Sequence, residues 1–445
     1  MARAWFGILL VFLLRGPGVT AQVPGRLDTT LSWSLEQCLA YARDNNLQLQ
    51  ALRLSRESAR QDLAQAERNR LPLVYGSTSQ TLVNSRNANP VVGGFQTQAK
   101  FSSSYGLNSS LVLYNGGYLR RNIEAGRLTV QEAGLAVEEA DNNLTLGITQ
   151  AFLNILLARE NITYFEAILS TSQEQLRQGQ QRYDAGSISR KDLLQLQSQQ
   201  AADAYSLVNA RTAYQLGLAS LRQLLQLPPS CQLTVVVPER IEPEELVPSL
   251  EATQQMAQEH RPEIRYGDLA IRLAETEVAM TRAGRLPTVN LGAGLSSGYS
   301  DNQSSKYLSQ LGNNFYQTLG LSASVPIFSR NLNRTNLAKA RIVLEQARLA
   351  LESSRVTLNQ EVEQAYLTLQ NAQAEYVAAG AQLQAAEATY QITNEQLKAG
   401  AISLVEVLLQ KNSYVQAMQA YLLAKYQAVL YSMIYQFYAG QPIRF

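Results

Sequence analysis

The feature that most constrains this chain is that it matches itself, in register, at an offset of about 214 residues. Leu71-Pro72 is echoed by Leu286-Pro287. Leu111-Val112-Leu113-Tyr114 is echoed by Val325-Pro326-Ile327-Phe328. Ala185-Gly186-Ser187-Ile188-Ser189 is echoed by Ala399-Gly400-Ala401-Ile402-Ser403. Each match falls at the same place in its half, so a fold built from two copies of one plan is expected. Each half opens with a helix of about 35 residues, 34–70 and then 249–285, that stops at a Leu-Pro because the residue before proline is pushed out of the helical region. Two strand-like runs follow in each half, at about 72–84 and 98–114, then at about 287–300 and 315–328. A very long helix, a glycine turn (183–189 and 397–403) and a further helix complete the unit. The expected organisation is a signal peptide at 1–21, a first repeat at 22–227, a proline-rich linker at 228–248 that adds a short strand near Val235 to Val237, a second repeat at 249–438 and a tail at 439–445.

The strand-like runs alternate. Phe101, Tyr105, Leu107, Leu111 and Leu113 fall on one face, and Ser102, Ser104, Asn108 and Ser110 on the other. Leu291 and Leu295 oppose Gly292 and Ser296, while Leu319, Leu321, Val325 and Ile327 oppose Thr318, Gly320 and Ser324. Period two with one oily face and one small polar face is the pattern of a half-buried sheet. The runs are long for a globular sheet and sufficient to cross the apolar band of an outer membrane. A soluble sandwich is the alternative, but the neighbouring helices are too long and too polar to cover its faces. Residues 85–96 and 301–314 read as polar, turn-rich loops. Four strands cannot close on themselves, and open edges are not tolerated in lipid, so an oligomer is implied. Three copies would supply 12 strands.

From about Leu119 to Arg182, and again from about Leu332 to Leu397, proline is absent. Each stretch predicts a helix of roughly 95 Å. Small residues such as Ala133, Ala136 and Ala140 recur at its apolar positions, so it must pack along its length on neighbours. An elongated rod without a channel would also satisfy this pattern, but a rod has no use for the strands. At the turns, Gly186 and Gly400 suit left-handed helix ends. Ser189 with Asp192, and Ser403 with Glu406, have the spacing of capping boxes.

Composition excludes several functions. The 445 residues carry net charge +2, which gives nucleic acid little to bind. The single histidine, His260, and the two cysteines, Cys38 and Cys231, are too few for a His- or Cys-rich metal site. A disulfide between these cysteines is neither favoured nor forbidden by their spacing. No nucleophile constellation or phosphate loop occurs, so neither enzyme chemistry nor a cofactor is expected. Arg3, the apolar run Trp5 to Leu14 and the small residues Val19-Thr20-Ala21 read as an export signal cleaved before Gln22, too short for a membrane anchor. No cysteine stands just after the apolar run, so an N-terminal lipid anchor is not expected. The rest contains no apolar run long enough for a spanning helix, so any membrane crossing must use strands.

In this duplicated plan, in Leu113-Tyr114-Asn115-Gly116-Gly117, in Pro326-Ile327-Phe328, and in the glycine turns followed by Asp192-Leu193-Leu194 and Glu406-Val407-Leu408, the chain resembles the TolC family of outer-membrane efflux and secretion ducts over about 31–438. The resemblance implies a mixed α+β membrane protein. Its homotrimer would form a 12-stranded β-barrel in the outer membrane, continued by a long periplasmic α-helical barrel. It implies a passive exit duct for small molecules, with type I protein secretion or a non-conducting structural protein as alternatives. It implies a periplasmic adaptor protein and an inner-membrane pump of RND or ABC type as partners. It places Gly186, Ser187, Ile188, Gly400, Ala401 and Ile402 at the tip that docks the adaptor. Glu406 and Leu409 take the positions where the family can carry two aspartate rings at the entrance, so only one carboxylate ring is expected. Arg182, Arg190, Lys191 and Asp192 become candidates for ion pairs that hold the closed tip. The terminal Phe445 follows a helix and Pro442 and would lie in the periplasm.

Overall fold

The structure is a computed structural model of the chain and describes residues 30–88, 93, 95–238, 241–243 and 248–443. The expected signal peptide, parts of the first loop and linker, and Phe445 lie outside these residues. A short strand β1 (Thr30–Trp33) leads into α1 (Leu35–Asn45) and α2 (Leu47–Arg68). Strands β2 (Leu73–Ala88) and β3 (Phe95–Asn115) come next, then α3 (Tyr118–Asp184) and α4 (Arg190–Leu225). After β4 (Gln232–Val235) the second half runs α5 (Leu250–His260), α6 (Pro262–Ala283), β5 (Thr288–Ser300), α7 (Tyr307–Asn313), β6 (Tyr316–Ser324), α8 (Leu332–Lys398) and α9 (Leu404–Tyr438). α3 and α8 each hold 67 residues, about 100 Å of helix.

Each opening helix, expected to be single, is in fact two. Asn46 ends α1 and starts α2, its Oδ1 accepting from the amides of Gln48 and Leu49. Arg261 does the same between α5 and α6, with Pro262 at the first helical position, where a missing N–H costs nothing. The buried Arg261 guanidinium donates to Glu263 at 2.9 Å and lies over the rings of Phe437 and Tyr438. His260 is therefore the last residue of α5, one turn-end away from a packed arginine.

The four long strands form one antiparallel sheet in the order β2-β3-β5-β6. Its register sorts the faces. Val74, Leu107, Leu295 and Leu319 belong to the apolar side, whereas Tyr75, Asn108, Gly294 and Thr318 share a rung of the other. That second face is built largely from serine, glycine, threonine and asparagine, with Asn108 donating to Ser77 Oγ at 3.2 Å. Three boundaries differ from expectation. The hairpin pairs as far as Ala88 with Phe95, so part of the first polar loop is strand. β6 stops at Ser324, because Pro326 has no N–H to offer the ladder, and Val325 and Ile327 are not strand residues. The second loop contains α7, pinned by Gln310, whose Nε2 donates to Ser305 O and whose Oε1 accepts from Ser300 N. β2 and β6 are left as edges.

Helix columns continue from the sheet. In the upper half α2 packs on α3, α3 on α6 and α6 on α8; lower down α4 packs on α3, α3 on α9 and α9 on α8. Midway, β1 pairs in parallel with β4 and closes a core of Trp33, Cys38, Phe152, Leu221, Val235 and Val429. Both cysteines are buried free thiols in this core. Burial pushes the Cys38 thiol up to about 12, so it holds almost no thiolate at neutral pH. Folded protein treated with a maleimide at pH 7 should leave Cys38 unmodified, with labelling complete only in denaturant. Rapid labelling of the native state would contradict this packing.

The connections between sheet and helix are tight. At Gly116 (φ +67) a Cβ would sit 2.9 Å from Ala283 O and from Leu286 Cβ, so only glycine fits. Arg330 and Asn331, at the same offset from Gly116 and Gly117 as Gly400 is from Gly186, also have positive φ (48 and 63). A non-glycine residue held there costs about 1–2 kcal/mol.

Candidate functional site

The two hairpin ends, α3–α4 and α8–α9, lie at the pole farthest from the sheet and are built alike. At the first, Ser187 N donates to Arg182 O (2.7 Å) and Gly186 N to Tyr183 O (2.9 Å). At the second, Ala401 N donates to Gln396 O (2.9 Å) and Gly400 N to Leu397 O (3.0 Å). Both are Schellman ends that need a left-handed residue, supplied by Gly186 (φ 73) and Gly400 (φ 72). Gly186, Ser187, Gly400 and Ala401 are exposed, whereas Ile188 and Ile402 are half-buried. Ile188 folds back toward Gly179.

The caps differ from expectation in one respect. Asp192 closes a reciprocal capping box, its Oδ2 accepting from the Ser189 amide (3.2 Å) and hydroxyl (2.7 Å) while Ser189 Oγ accepts from Asp192 N. Ser403 Oγ accepts from Glu406 N at 3.4 Å, but no reciprocal bond from Glu406 closes a second box. The shorter acid does the capping, and the exposed Glu406 carboxylate is left outside that task. Glu406 and Leu409 are one turn apart on an exposed face of α9, while Val407 and Lys411 fall on its buried face. Arg182, Arg190 and Lys191 join no ion pair among the described residues, and Asp192 is committed to Ser189, so within one chain these four form no clasp.

Besides Glu160 of α3, which meets Lys425 and Tyr426 of α9, the two hairpins are joined by a buried pair that the sequence reading missed. Lys411 Nζ of α9 lies 2.6 Å from Asp203 Oδ2 of α4, with side chains 0 % and 7 % exposed. Gln199 Nε2 bridges Asp203 (2.9 Å) and Asn412 (3.3 Å). Such a pair is held by its hydrogen bonds, because taking two charges out of water costs about what their attraction returns. Beside it, Tyr390 and Tyr414 stack at 5.7 Å and Tyr164 meets Tyr414 edge-on at 6.1 Å. Burial, reinforced by Tyr414 and the charge of Asp203, pushes the Tyr164 phenol far above its usual range. It therefore stays neutral, and its hydroxyl is buried without a partner. A sequence signal did exist: the same offset carries Asp203 to Ala417 and Lys411 back to Gln197, so both are charges that one half has and the other lacks.

Among the described residues no cluster of three His, Cys, Asp or Glu side chains could hold a metal, and no helix is long and apolar enough to cross a membrane.

Comparison with known proteins follows the same lines. A family model described as outer membrane efflux protein matches residues 39–226 and 253–431. The outer membrane efflux protein BepC of Brucella suis is 23 % identical over 420 residues, covering 94 % of this chain and 87 % of BepC. The cation efflux system protein CusC of Escherichia coli O157:H7 is 27 % identical over 387 residues, covering 83 % and 78 %. The crystal structure of the Campylobacter jejuni CmeC outer membrane channel superposes with a TM-score of 0.76 at 20 % identity, covering 91 % of this chain and 86 % of that one.

Proposed function

Because this chain belongs to the outer membrane efflux protein family, we propose that it works as the outer-membrane exit duct of a tripartite efflux system, carrying small molecules outward from a pump and adaptor. The observation that carries the reading is the four-stranded sheet: largely apolar on one face, largely small and polar on the other with Lys100 as its one charge among the strand residues, and continuous with two helices of 67 residues. An apolar outer face suits lipid, and a face of serine and glycine suits a water-filled passage.

The unpaired edges β2 and β6 support a closed homotrimer, in which β6 of one copy pairs with β2 of the next and 12 strands make the barrel. The helices support the same count. Their columns run α2 or α4, α3, α6 or α9, and α8, so three copies supply 12. Both outermost columns carry exposed apolar residues: Ile342, Leu349 and Val356 at heptad spacing on α8, Tyr205, Val208 and Leu216 on α4. In this arrangement the exposed turns at Gly186, Ser187, Gly400 and Ala401, with Ile188 and Ile402 beneath them, receive the helical hairpins of a periplasmic adaptor. That adaptor couples the duct to an inner-membrane pump of RND or ABC type. Glu406 and Leu409 face the entrance, where three Glu406 carboxylates favour cations.

Single-channel recording in planar bilayers tests this. Wild-type protein is expected to give a small, cation-selective conductance, and Glu406→Ala to lose most of that selectivity while still conducting. Unchanged selectivity removes Glu406 from the entrance. Absence of conductance, even after Lys411→Ala loosens the hairpins, removes the duct.

A further inference from the structure

The helical end of the sheet carries a belt of arginines that the duct itself does not use. Each of the four strand–helix connections contributes two: Arg68 and Arg70 before β2, Arg120 and Arg121 after β3, Arg282 and Arg285 before β5, Arg330 and Arg334 after β6. All eight are exposed. Only Arg121 has an ion pair among the described residues, a loose one with Glu124 at 3.6 Å. Residues 68–72, 116–124, 281–287 and 326–335 contain no other carboxylate, and the neighbouring Glu67 is taken by Arg127 at 3.2 Å. The opposite end of the sheet is different. Residues 85–100 and 301–315 hold Arg86, Lys100 and Lys306 against Asp301.

Apolar residues share the level of the belt. Tyr114 is paired with Val289 on the apolar face, and Leu71, Ile327, Phe328 and Leu332 are all exposed, Ile327 at 96 %. Large apolar side chains interleaved with arginines are what a lipid headgroup layer selects. The rings and aliphatic groups enter the acyl boundary, while the guanidiniums reach phosphate. A second observation is independent of the count. Arg330 sits in the left-handed region at the position where the first half has Gly116. A charged side chain is kept where the backbone favours glycine.

We propose that this belt binds the headgroups of acidic phospholipids in the leaflet on the helical side of the barrel. The proposal rests on the outer-membrane reading above. The groups recognised are a phosphodiester and a net negative charge, met by up to 24 arginines in a trimer of eight each. The connections are rigid enough to present them in place, since Gly116 packs against Ala283 and Leu286, and Asn333 Nδ2 donates to Gly284 O at 3.0 Å.

The test uses the full-length protein in vesicles containing equal amounts of phosphatidylglycerol and phosphatidylcholine, extracted gently, with co-purifying lipid counted by mass spectrometry. One arginine near an anionic surface is worth roughly a fivefold factor. Wild type should therefore retain phosphatidylglycerol at least about fivefold over phosphatidylcholine, less so in high salt. The variant Arg70→Gln/Arg120→Gln/Arg285→Gln/Arg330→Gln should bring that ratio close to one. Arg330→Gly alone relieves the backbone and should fold at least as well, yet lower the ratio. Equal retention by wild type, or an unchanged ratio in the fourfold variant, overturns the proposal. So does displacement by inorganic phosphate beyond that caused by chloride at the same ionic strength, which marks a free-anion site. A shift in ion selectivity with lipid retention intact also overturns it, by placing the arginines in the lumen. The same samples are recorded in planar bilayers. Protein that conducts but shows no lipid preference sinks only the belt, whereas protein that never inserts sinks the membrane reading.

Discussion

Replacing Lys411 with methionine is expected to destabilise the paired hairpins by about 3–5 kcal/mol, because it strands a carboxylate in a dry seam. Asp203 is 6 % exposed and would keep only Gln199 as a donor. Asp203→Leu should cost a similar amount for the mirror-image reason, since Lys411 is fully buried. The double variant Asp203→Leu/Lys411→Met removes both charges at similar volume and should return to within about 1 kcal/mol of wild type. Chemical denaturation of all four proteins closes the cycle and isolates the coupling. If Lys411→Met unfolds like wild type, the seam is wetter than its burial indicates and the pair contributes nothing. The functional counterpart is a tip that opens more readily in the single variants, seen as larger or more frequent conductance steps. A double variant that is stable but leaky would show that the pair specifies the spacing of the hairpins rather than their stability.

The second large effect concerns assembly. Ile342→Asp/Leu349→Asp should abolish the proposed trimer and leave protein that elutes and weighs as monomer in mild detergent. Both side chains are more than half exposed in the isolated chain and lie one heptad apart on α8. Burying what is still exposed of each against a neighbour contributes roughly 1–2 kcal/mol. Two residues at three interfaces thus amount to roughly 6–12 kcal/mol per assembled trimer, before counting the cost of burying aspartates. A variant that remains trimeric would show that the apolar stripe of α8 faces something other than the next copy. Because both positions point away from the chain's own core, the folded content of the monomer, read by circular dichroism, should change little.

Much of the architecture was legible because it obeys short rules repeated along the chain. The 67-residue helices follow from an absence of proline, the glycine turns from one residue each, and the sheet faces from alternation, which holds along β3 until a bulge between Val112 and Tyr114 sets Tyr114 rather than Leu113 opposite Val289. What escaped the sequence had physical reasons. Asn46 interrupts a helix that its neighbours favour, and it does so by capping α2 and reaching Leu224 O with its own amide. That partner lies far along the chain. Pro262 gave a readable warning, since the residue before proline avoids the helix, but the surrounding pattern of alanine and glutamate argued for continuity. α7 was unreadable because its anchor, Gln310, works through backbone groups of its own loop. The pairing of Asp203 with Lys411 depends on which faces of α4 and α9 meet, which neither helix states alone. At the tip, the exposed turn residues were found by glycine and serine spacing, whereas the unequal capping by Asp192 and Glu406 depends on rotamers.

The small parallel ladder between β1 and β4 sets an order of events. Its first strand precedes α1, and its second lies in the linker between the halves. The core beneath it gathers Trp33, Phe152, Leu233, Val429 and Ile443, from all parts of the chain. The first half therefore cannot complete this core by itself, and must wait for residues at the far end of the chain. Contacts this distant in sequence slow folding and leave apolar surface open to stray association meanwhile. For a chain read as exported, this core can close only after the final helix has also crossed to the compartment where folding takes place, and until then its apolar surface stays open.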